Sequence, residues 1–203
     1  MRSIKYRIFI FSFLLSSFIF ILLSLFISIQ AEKFIFDSLE DNLHSKMQLL
    51  IGLIHEEKNK LEFELSEIKG GEYSILGSGH YYIVNINNTE IVSPSISDNK
   101  FIFIPLNKIE KNKSKNEKLY TSLGTLGENV IVLEKDFFLY DKKVKIFVAE
   151  STKESTKILN NIKNSIYLFN IIAIIFLCLI NYLIVNKFLK PLDLFSREIS
   201  SIS

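Results

Sequence analysis

One cysteine, three prolines and no tryptophan stand among 203 residues. With Cys178 alone, no intrachain disulfide can form, so any folded part is held by its apolar core or by pairing with a second copy. Arginine is just as sparse: Arg2, Arg7 and Arg197 are the whole set, and none falls within residues 30–165. That stretch carries 18 Lys against 20 acidic residues, a net charge of −2. Such a mixed surface lacks the basic footprint of a nucleic-acid-binding protein, so no nucleic-acid partner is expected. No Gly-rich phosphate loop, nucleophile elbow, zinc pattern or kinase signature occurs, so these residues predict no catalytic group, metal site or cofactor of their own.

What the chain has in excess is apolar length. Its mean hydropathy is +0.26, with 18 Phe. Residues 8–29 and 166–185 are charge-free, 22 and 20 residues respectively, and about 20 helical residues cross a hydrocarbon core of about 30 Å. The runs contain Ser12, Ser16, Ser17, Ser24, Ser28, Asn170 and Asn181, side chains able to bond back to their own helix or meet a neighbouring one. Ile29 stands two positions before Ala31, which spoils a small-residue cleavage site, so the first run is read as an uncleaved signal anchor. Arg2, Lys5 and Arg7 precede it, and Lys187, Lys190 and Arg197 follow the second run. The positive-inside rule then predicts a multi-pass protein of the cytoplasmic (inner) membrane with both termini in the cytoplasm. The expected division is a cytoplasmic N-terminus at 1–7, spans at 8–29 and 166–185, an extracytoplasmic segment at 30–165, and a cytoplasmic tail at 186–203.

Within the exported segment, Leu43, Met47, Leu50, Ile54, Leu61, Leu65 and Ile68 recur at steps of about three and four, predicting a long helix that continues out of the first span. The stretch KGGEYSILGSG, with four Gly in eleven residues, ends it. Strands are expected at 80–86, 91–93, 101–104, 129–134, 137–140 and 143–150 from their β-branched and aromatic content. The lysine-rich 107–118 reads as a loop, and 151–165 as a helix feeding the second span. The fold class is therefore an α+β, sensor-like domain, a small antiparallel sheet flanked by long helices, lying between two transmembrane helices.

The three histidines are the natural place to seek chemistry. Glu40 and His44 are four apart, but His44 and His55, about 16 Å apart on one straight helix, cannot share an ion. His80 opens the strand HYYIVNI, so His80, Tyr82 and Asn85 are the candidate ligand-sensing residues. In the tail, Leu192, Phe195, Ile199 and Ile202 are spaced three, four and three apart, the stripe of a helix that packs against a partner. Pro191 stands just before them and is expected to bend or restart the helix. These five are the candidate signal-relay residues.

Two stretches carry a family resemblance. KPLDLFSREISSIS, residues 190–203, resembles the first helix of a HAMP linker, the parallel coiled coil that follows the last membrane helix of sensor histidine kinases and chemoreceptors. GHYYIVNINNTEIVSPSI, with KVKIFVAESTKESTKILNNI after it, is similar to the periplasmic sensor regions of bacterial two-component sensor histidine kinases. The resemblance implies the sensory half of a homodimeric protein-histidine kinase. It implies an ATP- and Mg-dependent kinase core beyond Ser203, and a response regulator as phosphoryl acceptor. A methyl-accepting chemoreceptor shares the same layout, and a membrane cyclase or a self-contained membrane-anchored binding protein are further alternatives.

Overall fold

The computed structural model describes residues 4–57, 60–64, 71–86, 89–97, 101–109 and 116–200. By its contacts the chain divides into two compact units, one of Met1–Phe34 with Ile158–Ser203 and one of Ile35–Lys157.

The second unit is α+β. It receives the end of helix α1 (Ile4–Gly52), then a hairpin of β1 (Ile54–Glu57) and β2 (Lys60–Phe63). A 3₁₀ turn at Glu72–Ser74 leads to β3 (His80–Ile86) and β4 (Thr89–Val92). β5 (Asn107–Lys108), β6 (Glu117–Leu123), β7 (Asn129–Leu139) and β8 (Lys142–Ser151) follow, and helix α2 (Lys153–Ser200) begins directly afterwards. β3 to β8 form one fully antiparallel sheet in the order β4-β3-β8-β7-β6-β5.

Alternation along the strands sends side chains to two faces. One face, with Tyr82, Val84, Ile131, Leu133, Val144, Ile146 and Val148, packs under the α1 stripe Leu39, Leu43, Met47 and Leu50. The opposite face, with Tyr81, Ile83, Tyr120, Val130, Val132 and Ala149, is covered by Ile96 and Phe103 from the segment between β4 and β5.

Several expectations change here. The helix ends at Gly52 and does not run on toward Ile68; Ile54 and Phe63 pair across the β1–β2 hairpin and enter the core as strand residues. Glycine is a poor helix residue, and an Ile-His-Glu-Glu sequence serves a short two-stranded ribbon as well as a helix. Leu65 and Ile68 lie outside the described residues. Residues 129–134 and 137–140 form one strand rather than two, because the intervening Lys135 and Asp136 find cross-strand charges at Glu117 (2.8 Å) and Lys145 (3.9 Å). β6 arises from the charged-looking stretch read as loop and its continuation, with Tyr120 only 2% exposed. Residues 101–104 are not a strand: Phe103 is an aromatic plug, its ring 5.1 Å from Phe101, 6.4 Å from Phe147 and 6.5 Å from Tyr81.

The first unit consists of the apolar parts of the two helices. Both helices are long and apolar enough to cross a membrane, and none of the most apolar window of α1 is buried. α2 is not interrupted at Pro191, contrary to the expected restart. One missing N–H removes a single helical bond, which good helix formers on either side can outlast.

Candidate functional site

Three elements converge on His80. The α1 residue Lys46 reaches the His80 Nδ1 at 3.0 Å, Glu72 Oε2 at 3.1 Å and Glu150 Oε2 at 3.0 Å. Asn42, one turn earlier on α1, donates to the same Glu150 oxygen at 2.8 Å. Glu72 and Glu150 also approach His80 Nδ1, at 3.4 and 3.9 Å. Lys46, Glu150 and His80 are mostly enclosed, with side chains 18%, 13% and 21% exposed, whereas Glu72 is 61% exposed.

The register of the sheet explains the meeting. His80 is directly opposite Glu150 in the β3–β8 ladder, so both stand on the face that carries α1. Glu72 is brought in by the 3₁₀ turn, which is tied to β3 through a pair of buried serines. Ser95 donates its N–H to the Tyr73 carbonyl at 2.8 Å and its carbonyl accepts from the Gly77 N–H at 2.9 Å, while its hydroxyl donates to the His80 carbonyl at 2.6 Å. Ser93 and Ser95 hydroxyls meet at 2.8 Å, and the Tyr82 N–H donates to Ser93 Oγ at 3.1 Å. β3 starts from Gly79, whose φ of +86° suits glycine and whose absent Cβ would lie 2.7 Å from Ser151 Cβ.

The cluster has an aromatic floor. The Tyr73 ring lies 5.9 Å from Lys46 Nζ and 5.0 Å from the Tyr82 ring. Burial, aided by the negative charges of Glu150 and Glu72, raises the Tyr73 phenol far above its ordinary value, and burial raises that of Tyr82. Both phenols therefore stay neutral, and neither hydroxyl has a hydrogen-bond partner among the described residues. The Glu72 carboxyl is held below its ordinary value, chiefly by the hydrogen bond from Lys46.

Of the three candidate sensing residues, His80 and Tyr82 share this face. Asn85 is on the other face, opposite Lys145 in the ladder, as the odd step from His80 requires. There, Lys145 binds Glu134 at 2.9 Å beside Lys118 at 3.1 Å. His44 pairs at 3.9 Å with Glu40, and His55 lies on β1, so neither joins His80. Among the described residues, no group of three or more His, Cys, Asp or Glu is arranged to hold a metal ion. Of the relay candidates, Pro191, Leu192, Phe195 and Ile199 fall within α2, and Ile202 lies outside the described residues.

Sequence reasoning missed Lys46, Glu72 and Glu150, because Lys46 meets its two carboxylates across 26 and 104 residues of chain. The local trace was Ser-Pro-Ser after a strand, whose Ser95 is hydrogen-bonded to the turn carrying Glu72.

The apolar helices have polar contacts of their own. Ser12 donates to Asn181 Oδ1 at 2.7 Å and Ser24 to Asn170 Oδ1 at 2.6 Å, while Lys163 pairs with Glu32 at 3.0 Å. Going up α1 by twelve residues, from Ser12 to Ser24, goes down α2 by eleven, so the two helices run antiparallel in the register these bonds define. Comparison with protein-family models, curated proteins and solved structures found no match to the chain.

Proposed function

We propose that this chain is the sensing and transmembrane-relay portion of a membrane receptor, with 35–157 as an extracytoplasmic sensor and the two apolar helices as its spans. The observation that carries the reading is continuity. α1 supplies both a charge-free run and the core stripe Leu39 to Leu50, and α2 starts two residues after β8. A rearrangement of the sheet therefore has a covalent, helical path toward each apolar run. The unburied apolar window of α1 supports spanning over a role as a core helix. The basic residues at 2, 5, 7, 187, 190 and 197 support cytoplasmic ends.

The finer reading, resting on the residues that resemble sensor histidine kinases, is that the receptor is a homodimeric kinase acting on a response regulator. A stimulus acts by favouring one of two arrangements of the helices, which requires that it bind them unequally.

Two measurements test these levels separately. In a Cys178→Ser background, Leu126→Cys should react with a membrane-impermeant maleimide in intact cells and Lys187→Cys only after permeabilisation; the reverse pattern overturns the topology. The natural gene product in membrane vesicles should become labelled from ATP on histidine, as acid-labile phosphate. Failure of that labelling with the receptor folded and inserted removes the kinase assignment.

A further inference from the structure

We propose that His80 is a proton-binding site controlling the grip of α1 on the sheet: neutral, it accepts Lys46 and keeps the cluster closed; protonated, it releases Lys46. The inference rests on reading 35–157 as the sensing unit and names its stimulus as acidification.

The geometry fixes the protonation state of the closed form. Lys46 is an ammonium with three donors and no lone pair. At 3.0 Å from it, His80 Nδ1 must present its lone pair, so the closed form holds a neutral imidazole protonated on Nε2. The charged and titratable groups facing His80 are Lys46 from α1, Glu72 and Tyr73 from the 3₁₀ turn, and Glu150 from β8; Asn42 is the neutral neighbour, and Tyr82 lies two residues along β3. With one cation against two carboxylates, the closed cluster is one positive charge short.

A proton on His80 balances the charge but sets donor against donor at Nδ1. The imidazolium is drawn to Glu72 and Glu150, already 3.4 and 3.9 Å away, and competes with Lys46 for both. Lys46 then loses one partner outright and shares the others. Imidazole is the side chain whose ordinary titration falls between about pH 5 and 8. In the closed form the Lys46 hydrogen bond holds the Glu72 carboxyl below its ordinary value, and Glu72 is the nearer of the two carboxylates to His80 Nδ1. The consequence reaches both helices, because Lys46 belongs to α1 and Glu150 stands three residues before α2.

Amide exchange of the full chain in lipid nanodiscs tests this. After correction for the intrinsic pH effect, protection of residues 39–52 should fall about tenfold between about pH 8 and about pH 5. His80→Gln, which keeps an acceptor but does not titrate, should remain protected throughout. Glu72→Gln, removing a carboxylate that favours the imidazolium, should move the wild-type transition to lower pH. A flat wild-type profile, or the same profile in His80→Gln, overturns the proposal. Should His80→Gln not fold, an unmoved Glu72→Gln midpoint overturns it. If protection falls as expected while disulfide formation between Ser24→Cys and Asn170→Cys, under mild oxidation in a Cys178→Ser background and corrected for the thiolate fraction at each pH, does not change, the proton site stands and the relay reading fails.

Discussion

At the scale of single residues, neighbouring positions on one strand have opposite fates. Tyr81 and Tyr82 are both fully buried, yet Tyr82 lies beneath α1 with no partner for its hydroxyl among the described residues, while Tyr81 donates to Glu128 and accepts from Thr125 at 3.2 Å. Glu134 shows how a buried charge is kept. Burial alone would raise its carboxyl, but hydrogen bonds from Lys145 and Lys118 outweigh that and hold it below its ordinary value. A depressed carboxyl favours the native state above its unfolded pKa, about 4.3, and that contribution is lost as pH falls through the native value. Glu134→Gln should therefore melt below the wild type near neutral pH, and the gap should close on acidification below about pH 4. A gap that stays constant with pH would show that Glu134 acts through shape rather than charge.

At the scale of elements, the sequence was most informative where pattern and local chemistry agree. Residues 80–86 and 143–150 are strands because β-branched and aromatic residues alternate over a sheet buried on both faces, and β3 and β8 lie within a residue of those bounds. The α1 stripe from Leu43 to Leu50 was legible for the same reason. Less legible were elements that depend on distant partners. β6 needs the β7 ladder from Glu117↔Lys135 to Leu123↔Asn129 to make its charged start a strand. The β7–β8 hairpin turns through Tyr140 and Asp141, at φ of +48° and +59°, with no glycine to announce it. The His80 cluster was half legible, since the histidine stood out as a strand-opening titratable residue but its lysine and carboxylates come from other elements. Where β3 begins, Gly79→Ala should destabilise the second unit by about 1–3 kcal/mol, because a side chain there is both left-handed and pressed against Ser151. Thermal unfolding of the full chain in detergent measures it; a neutral substitution would mean that the β3–β8 junction relaxes freely.

At the scale of the whole molecule, two units of different chemistry share two helices. The α+β unit hides its apolar residues in two cores on either side of one sheet. The helical unit leaves Phe11, Phe26, Phe169 and Phe176 more than 60% exposed, a surface that suits hydrocarbon and not water. Hydrogen bonds between spans are worth about 0.6 kcal/mol on average and up to about 1.7. A pair of them can bias a register without locking it. With Cys178 replaced by Ser, cysteines at Ser12 and Asn181 should form an intrachain disulfide under mild oxidation, whereas Phe11 and Asn181 should not. Equal yields would show that the helices slide or rotate freely.

The Ser12–Asn181 and Ser24–Asn170 bonds are separated by about 18 Å along α1. They form a two-point gauge: a piston stroke along the helix axis stretches both together, while a scissoring tilt opens one and spares the other. Which bond fails first distinguishes the two motions.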